Sequence, residues 1–218
     1  MENPFDFFEK IWCINLDKRT DRWEQAQEEF SKMGILDRVE RFSAVGDKDG
    51  RVGVIKSNLG IVKHAKENGF NNVLVFEDDV QFIESKDITY DVLEKALSQT
   101  EKLRWSLFYL GANTNDNNKL IKLKERPNLI YLKNSFAVHA MCYNKIVYDK
   151  FIRYAEKINN IKKFNDILDV WIAQEVQTTQ LCLMTNTMLC TQRNSFSDIE
   201  KTPVNYDFII ERFKKNIQ

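Results

Sequence analysis

At 218 residues the chain is long enough for one large domain with a sizeable buried core. A hydrophobic content of 43% with 12% aromatic residues is that of a globular protein and excludes the disordered class. Basic and acidic residues balance at 32 each, so no overall field draws the chain to nucleic acid or to an anionic membrane.

The opening MENPFDFFEK carries acids where a secretory leader needs a positive start, and no stretch approaches the roughly 20 apolar residues of a membrane span. A cytoplasmic location is the expectation. Cys13, Cys142, Cys182 and Cys190 are scattered in apolar contexts without a CxxC pair, which reads as buried reduced thiols. His64 and His139 are too isolated for a histidine metal site, and neither GxGxxG nor a Walker A loop is present.

In chain order, Ile11 to Leu16 predicts a short strand. Asp21 to Met33 spaces Trp23, Ala26 and Phe30 as a helix, which Gly34 ends. Val39 to Phe42 suits a second strand. Ser57 is placed to cap a helix whose apolar face is Leu59, Ile61, Val62 and Ala65, with Gly69 at its carboxyl end. The run Val73 to Phe76 has no polar alternation and predicts a strand covered on both faces. This βαβαβ order implies right-handed crossovers and a mostly parallel sheet flanked by helices, an α/β fold. Asp91 to Thr100 predicts a helix and Trp105 to Leu110 a strand ending at Gly111. A polar loop, Ala112 to Asn118, follows. Lys119 to Lys133 reads as a hairpin around Arg126, Pro127 and Asn128. Helices are expected over Asn144 to Ala155, Asp166 to Ala173 and Tyr206 to Asn216, and a strand over Leu181 to Thr191. One domain spanning residues 1–218 is expected.

The most informative stretch is NVLVFEDDV, Asn72 to Val80, where an apolar strand runs straight into Glu77, Asp78 and Asp79. Strands of this kind present functional residues at their carboxyl ends. On an extended chain Glu77 and Asp79 face one way and Asp78 the other. Like charges so close repel unless a cation or a hydrogen-bond network neutralises them, and hard oxygens select Mg2+, Mn2+ or Ca2+. The plain alternative is a solvated acidic turn.

Three segments carry a resemblance when read together: IWCINLDKRTDR (Ile11 to Arg22), GVIKSNLGIVKHAKENGFNNVLVFEDDV (Gly53 to Val80) and QRNSFSDI (Gln192 to Ile199). This ordered set resembles glycosyltransferase family 25, which includes lipooligosaccharide and procollagen galactosyltransferases. The resemblance implies a GT-A-like fold with a Rossmann-like nucleotide-sugar-binding half, residues 1–111, and a smaller acceptor-side half, residues 112–218, together with a UDP-sugar donor and a divalent ion, Mn2+ or Mg2+, at the acidic motif. It also implies inverting transfer of galactose or glucose to a hydroxyl of a glycan or protein acceptor.

Glu77 and Asp79 are then the candidate metal ligands, with Asp198 in SFSDI a third and Asp78 facing the sugar or ribose. Asn15 and Leu16 line the nucleotide pocket by analogy. Arg19 and Arg22 have planar guanidinium groups suited to a diphosphate; the alternative pairs them with Asp21 or Glu24 on an exposed helix face. Lys56 and Ser57 sit at the expected helix start, a natural anion site, although Ser57 as a plain cap is simpler. Where the family has Ser-His, this chain has Ser57-Asn58, and an amide cannot carry a proton. Asp169 lies where the family places an acceptor-side carboxylate and is the candidate base, with Glu175 in reserve. Trp171 is a candidate sugar platform, with a core role the alternative. His139 reads as a core or supporting residue, and Gly111 and Asn113 as contacts to donor or acceptor. The competing functions are a nucleotide-sugar-binding protein without turnover and a metal-dependent phosphohydrolase. Oligomeric state is not legible.

Overall fold

A computed structural model describes residues 3–114, 120–197 and 201–217. After a short 3-10 helix, Pro4–Phe7, the chain alternates β1 (Lys10–Asn15), α1 (Thr20–Met33), β2 (Val39–Ser43), α2 (Gly50–Glu67) and β3 (Asn72–Glu77). There follow β4 (Val80–Phe82), α3 (Lys86–Ser98), β5 (Trp105–Tyr109), β6 (Asn113–Thr114), β7 (Ile121–Leu123), β8 (Arg126–Tyr131), β9 (Ser135–Phe136) and β10 (Ala140–Asn144). The remainder is α4 (Lys145–Ala155), α5 (Leu168–Trp171) running into a π-helical turn Ile172–Val176, then β11 (Leu181–Thr185), β12 (Cys190–Gln192), β13 (Ser195–Ser197), β14 (Thr202–Val204) and α6 (Asp207–Asn216).

Eight strands form the central sheet in the order β2-β1-β3-β10-β5-β11-β8-β7. β1 pairs parallel with β2 and β3, and β5 with β11, whereas β10 and β8 run against their neighbours. The sheet is therefore mostly parallel in strand direction. β10, from the second half of the chain, sits between β3 and β5 of the first, so one sheet runs through both halves.

Side-chain alternation divides the core in two. Trp12, Val73, Val75, Leu107, Met141 and Tyr143 face a layer that includes Ile55, Ile61 and Val62 of α2 and Val147 and Phe151 of α4. The intervening residues Ile11, Cys13, Leu74, Phe76, Phe108 and Cys142 face Ala26 and Phe30 of α1 and Leu93 and Ala96 of α3. Burial on both sides is why β3 reads as an unbroken apolar run. All four cysteines are buried and unpaired. Among the described residues no helix is long and apolar enough to cross a membrane.

Three local expectations change. β10 was not anticipated: its AMCY run is brief and continues directly into α4, which Asn144 caps by accepting from the Ile146 N–H at 3.1 Å. α2 begins at Gly50, capped by Asp49, and not at Ser57. The stretch Leu181 to Thr191 is two strands, because β12 leaves the main sheet and pairs with β4. The predicted hairpin is present as β7–β8, with its turn just before Arg126.

Candidate functional site

β3 ends at Glu77, whose N–H donates to the His139 carbonyl at 2.9 Å. Asp78 and Asp79 then form the turn into β4, so the extended alternation expected across all three acids stops at Glu77. The consequence is a division of roles. Asp78 is 8% exposed and engaged at both oxygens: Asn15 Nδ2 donates to its Oδ2 at 2.7 Å and Arg22 to its Oδ1 at 3.0 Å. Asp79 lies on the same side, 3.8 Å from the Arg22 guanidinium, and its backbone carbonyl accepts from the Arg193 N–H at 2.7 Å. Its Oδ1 is buried without a partner.

Arg22 fastens this turn to the late chain by also donating to Ser195 Oγ at 3.1 Å and to the Phe196 carbonyl at 2.8 Å. Asn15, 1% exposed, accepts from Arg41 at 2.8 Å, and Arg41 in turn meets Asp17 at 2.6 Å. The result is a chain of side chains across the carboxyl ends of β1, β2 and β3. Arg19 instead makes a bidentate pair with its neighbour Asp21 at 2.9 and 2.8 Å, which holds that carboxyl at about 2. Of the two arginines for which local pairing was the alternative, Arg19 makes it, whereas Arg22 reaches across the fold. Leu16 is half-buried, its carbonyl taken by the Arg19 N–H at 2.8 Å.

Glu77 lines a cleft of about 580 Å³ that Asp169 also lines. Burial first, then the charges of Asp79, Asp78 and Asp169, push the Glu77 carboxyl well above its usual range, against the pull of Arg22. Burial likewise raises Asp79 to about 6, with Arg22 opposing and Asp78 reinforcing the shift. Two strand-end acids that resist ionisation, one with an unpartnered buried oxygen, have the chemistry of a hard-cation site. A magnesium-like ion is commonly held by one or two carboxylates plus water and substrate phosphate, so this pair fits one. Among the described residues no group of three His, Cys, Asp or Glu side chains is assembled for a metal, and the third expected ligand, Asp198, lies outside the described residues.

Asp169 stands in the first turn of α5, where its Oδ1 accepts from the Val170 N–H at 2.8 Å and its Oδ2 from the Ala137 N–H at 3.4 Å. Ala137 adopts a left-handed backbone, φ 69°, which is uncommon for a residue with a Cβ and typical of functional loops. Asn113, Gln192 and Arg51 share the cleft wall. Glu175, the reserve base, is exposed and does not line the cleft. Trp171 is buried, stacked on Tyr154 at 4.0 Å and 7°, which makes it a core residue instead of a sugar platform.

The helix-start reading of Lys56 and Ser57 changes with the helix. Both lie in the second turn of α2; Lys56 pairs with Asp47 at 2.8 Å, and the fully buried Ser57 hydroxyl donates to the Gly53 carbonyl while accepting from the Val45 N–H. Asn58, at the family's histidine position, is buried; it donates to the Val54 carbonyl and accepts from the Tyr143 hydroxyl at 3.0 Å. His139 is buried beside the Cys190 carbonyl, and burial lowers its pKa to about 4, so it stays neutral. Gly111 passes so close to β12 that an added Cβ would lie 1.9 Å from the Cys190 oxygen.

Sequence reasoning passed over Arg51 and Phe164. Arg51 had a signal in the Asp49-Gly50-Arg51 order, a helix cap followed by a first-turn cation.

No family model and no curated protein matches the chain. Among solved structures it is similar to a glycosyltransferase involved in the glycosylation of the major capsid of PBCV-1, at 8% identity over 70% of this chain and 68% of that one, TM-score 0.43. It is also similar to the protein A197 from STIV, at 7% identity over 85% and 94%, TM-score 0.43. A third likeness is to the inositol-1-phosphate CTP transferase from T. maritima, at 13% identity over 94% and 77%, TM-score 0.42. At these identities and scores the likenesses carry no functional weight.

Proposed function

We propose that this chain is an inverting glycosyltransferase that moves a sugar, galactose or glucose, from a UDP-sugar to an acceptor hydroxyl. The observation that carries the reading is the meeting of Glu77 and Asp169 in one cleft, at the carboxyl end of β3 in an α/β sheet. This is where such sheets receive ligands. The ordered motifs that resemble glycosyltransferase family 25 add support from the sequence.

In this proposal Glu77 and Asp79 would hold a divalent ion, Mn2+ or Mg2+. When bound, the ion supplies Lewis-acid stabilisation of the departing diphosphate. Asp78 is already committed to Arg22 and Asn15, so its part is to lock the turn that aims the other two acids. Arg51, on the cleft wall, makes a bidentate pair with Asp49 at 2.8 and 2.7 Å, and in this proposal the phosphates compete with Asp49 for that guanidinium. Asp169 is the base. As the acceptor oxygen bonds to the anomeric carbon, the bond to the UDP oxygen breaks and the hydroxyl proton passes to the Asp169 carboxylate. The N–H groups of Ala137 and Val170 orient that carboxylate.

The test is UDP release from UDP-galactose and UDP-glucose in Mn2+, with a mixed panel of glycan and peptide acceptors, for the natural chain and Asp169→Asn. Turnover is expected to fall by about 10²- to 10⁴-fold in the variant while UDP affinity holds. Equal turnover in the two proteins would remove Asp169 from the role. UDP binding with no release by the natural chain would favour a binding protein, and cleavage of simple phosphate esters a hydrolase.

A further inference from the structure

The mouth of the cleft carries an aromatic ring that the core does not need. Phe164 lines the cleft and is 66% exposed, the most exposed of the large hydrophobic residues among the described ones. Phe196 and Phe208 are also exposed, but neither lines the cleft. Single exposed apolar residues are ordinary on a protein surface, so what needs a local cause here is the placing of this ring on the cleft wall that Asp169 shares.

That cause is a braced turn. The 3-10 helix Phe164–Asp166 is held by Asp166, whose Oδ2 accepts from the Lys162 and Lys163 N–H groups at 2.9 and 3.1 Å. The Tyr154 hydroxyl donates to the Asp166 carbonyl at 2.6 Å, and Tyr154 is itself stacked on the buried Trp171. The Ile167 N–H closes the turn onto the Phe164 carbonyl at 3.1 Å, and the Trp171 N–H continues it onto Ile167 at 2.8 Å. Phe164 and the base candidate Asp169 therefore stand on one rigid segment, fixed relative to each other by hydrogen bonds and by the Tyr154–Trp171 stack.

The rest of the wall mixes two chemistries. Phe136 and Tyr206 add apolar surface, while Asp169, Asn113 and Gln192 add hydrogen-bonding groups. A pyranose ring matches this combination, with C–H bonds on its faces and hydroxyls around its rim. From this arrangement we infer that the acceptor is a saccharide and that Phe164 is the platform on which its terminal ring stacks, presenting a hydroxyl to Asp169. The inference rests on the glycosyltransferase reading for the role of Asp169. The placement of a sugar ring on Phe164 is separable from that reading and is tested by binding alone.

Saturation-transfer NMR on the full chain, with methyl galactoside, methyl glucoside, methyl mannoside, lactose and maltose as probes, reads the contact from the sugar C–H protons. UDP with Mn2+ is titrated in parallel. Ring stacking of this kind is worth about a tenfold change in affinity or somewhat less. At least one saccharide is expected to bind, to weaken about fivefold or more in Phe164→Ala and to recover in Phe164→Trp, with UDP affinity the same in all three proteins. Saccharide binding indifferent to Phe164→Ala would overturn the inference, as would the absence of contact with every probe. A loss of UDP affinity in Phe164→Ala would also overturn it, by showing that the ring stacks on the base. A chain that binds a sugar through Phe164 but never binds UDP would uphold the platform and refute the donor assignment, so the two failures are distinguishable.

Discussion

Replacing Asp79 by asparagine should stabilise the protein and disable it. The Asp79 carboxyl is only 13% exposed and is raised from 3.8 to about 6. Below about pH 4 it carries its proton in both the folded and unfolded chains and costs nothing. Between about pH 4 and pH 6 the unfolded chain releases the proton while the folded chain retains it, so stability drains away as pH rises, and the full penalty is present above about pH 6. A shift of this size corresponds to about 3 kcal/mol at 1.36 kcal/mol per unit, and Asp79→Asn removes it. The new amide N–H groups must find partners, which leaves an expected gain of about 1–3 kcal/mol at about pH 7.5. For a chain of this length that is a rise of about 2–4 °C in Tm per kcal/mol. The assay is thermal unfolding of both proteins at about pH 4 and about pH 7.5, with and without Mn2+. The variant should melt higher only at the upper pH, and the rise in Tm with Mn2+ expected of the natural chain should be absent from it. A variant that melts lower at both pH values, or a gain that ignores pH, would refute the electrostatic account of this turn.

Arg22→Met strands the Asp78 charge, 11% exposed, and should cost about 3–5 kcal/mol in urea unfolding, most of it recovered in the Arg22→Met, Asp78→Asn double variant. Strictly additive losses would show that the pair is not what holds the turn. Gly111→Ala drives a methyl group into the Cys190 carbonyl and should lower stability by about 3 kcal/mol, whereas an unchanged urea midpoint would mean that β12 moves away freely.

What was readable in advance follows from the range of the interactions concerned. β3 and Glu77 were legible because doubly covered strands need continuous apolar runs and the acids begin where the run stops. α1 was legible because Gly34 takes the left-handed conformation that ends it, φ 68°. The placing of Asp78 was not, since it depends on Arg22, 56 residues away, and on a turn that cancels strand alternation. β10 was hidden because five residues leading straight into a helix leave no turn signal between them. Lys56 and Ser57 were misplaced through overlooking Asp49, which caps α2 by accepting from the Arg51 N–H at 3.1 Å. Phe164 carried no periodic signal at all, since its meaning comes from the braced turn beneath it.

Calorimetric titration of UDP, with and without Mn2+, into the natural chain and into Glu77→Ala and Asp79→Ala addresses the metal-held donor most directly. UDP should bind the natural chain markedly more tightly with Mn2+ present, and that enhancement should vanish in both variants. An affinity that ignores the ion, and is untouched by removing either carboxylate, would contradict the assignment of this strand end to a metal-held nucleotide sugar.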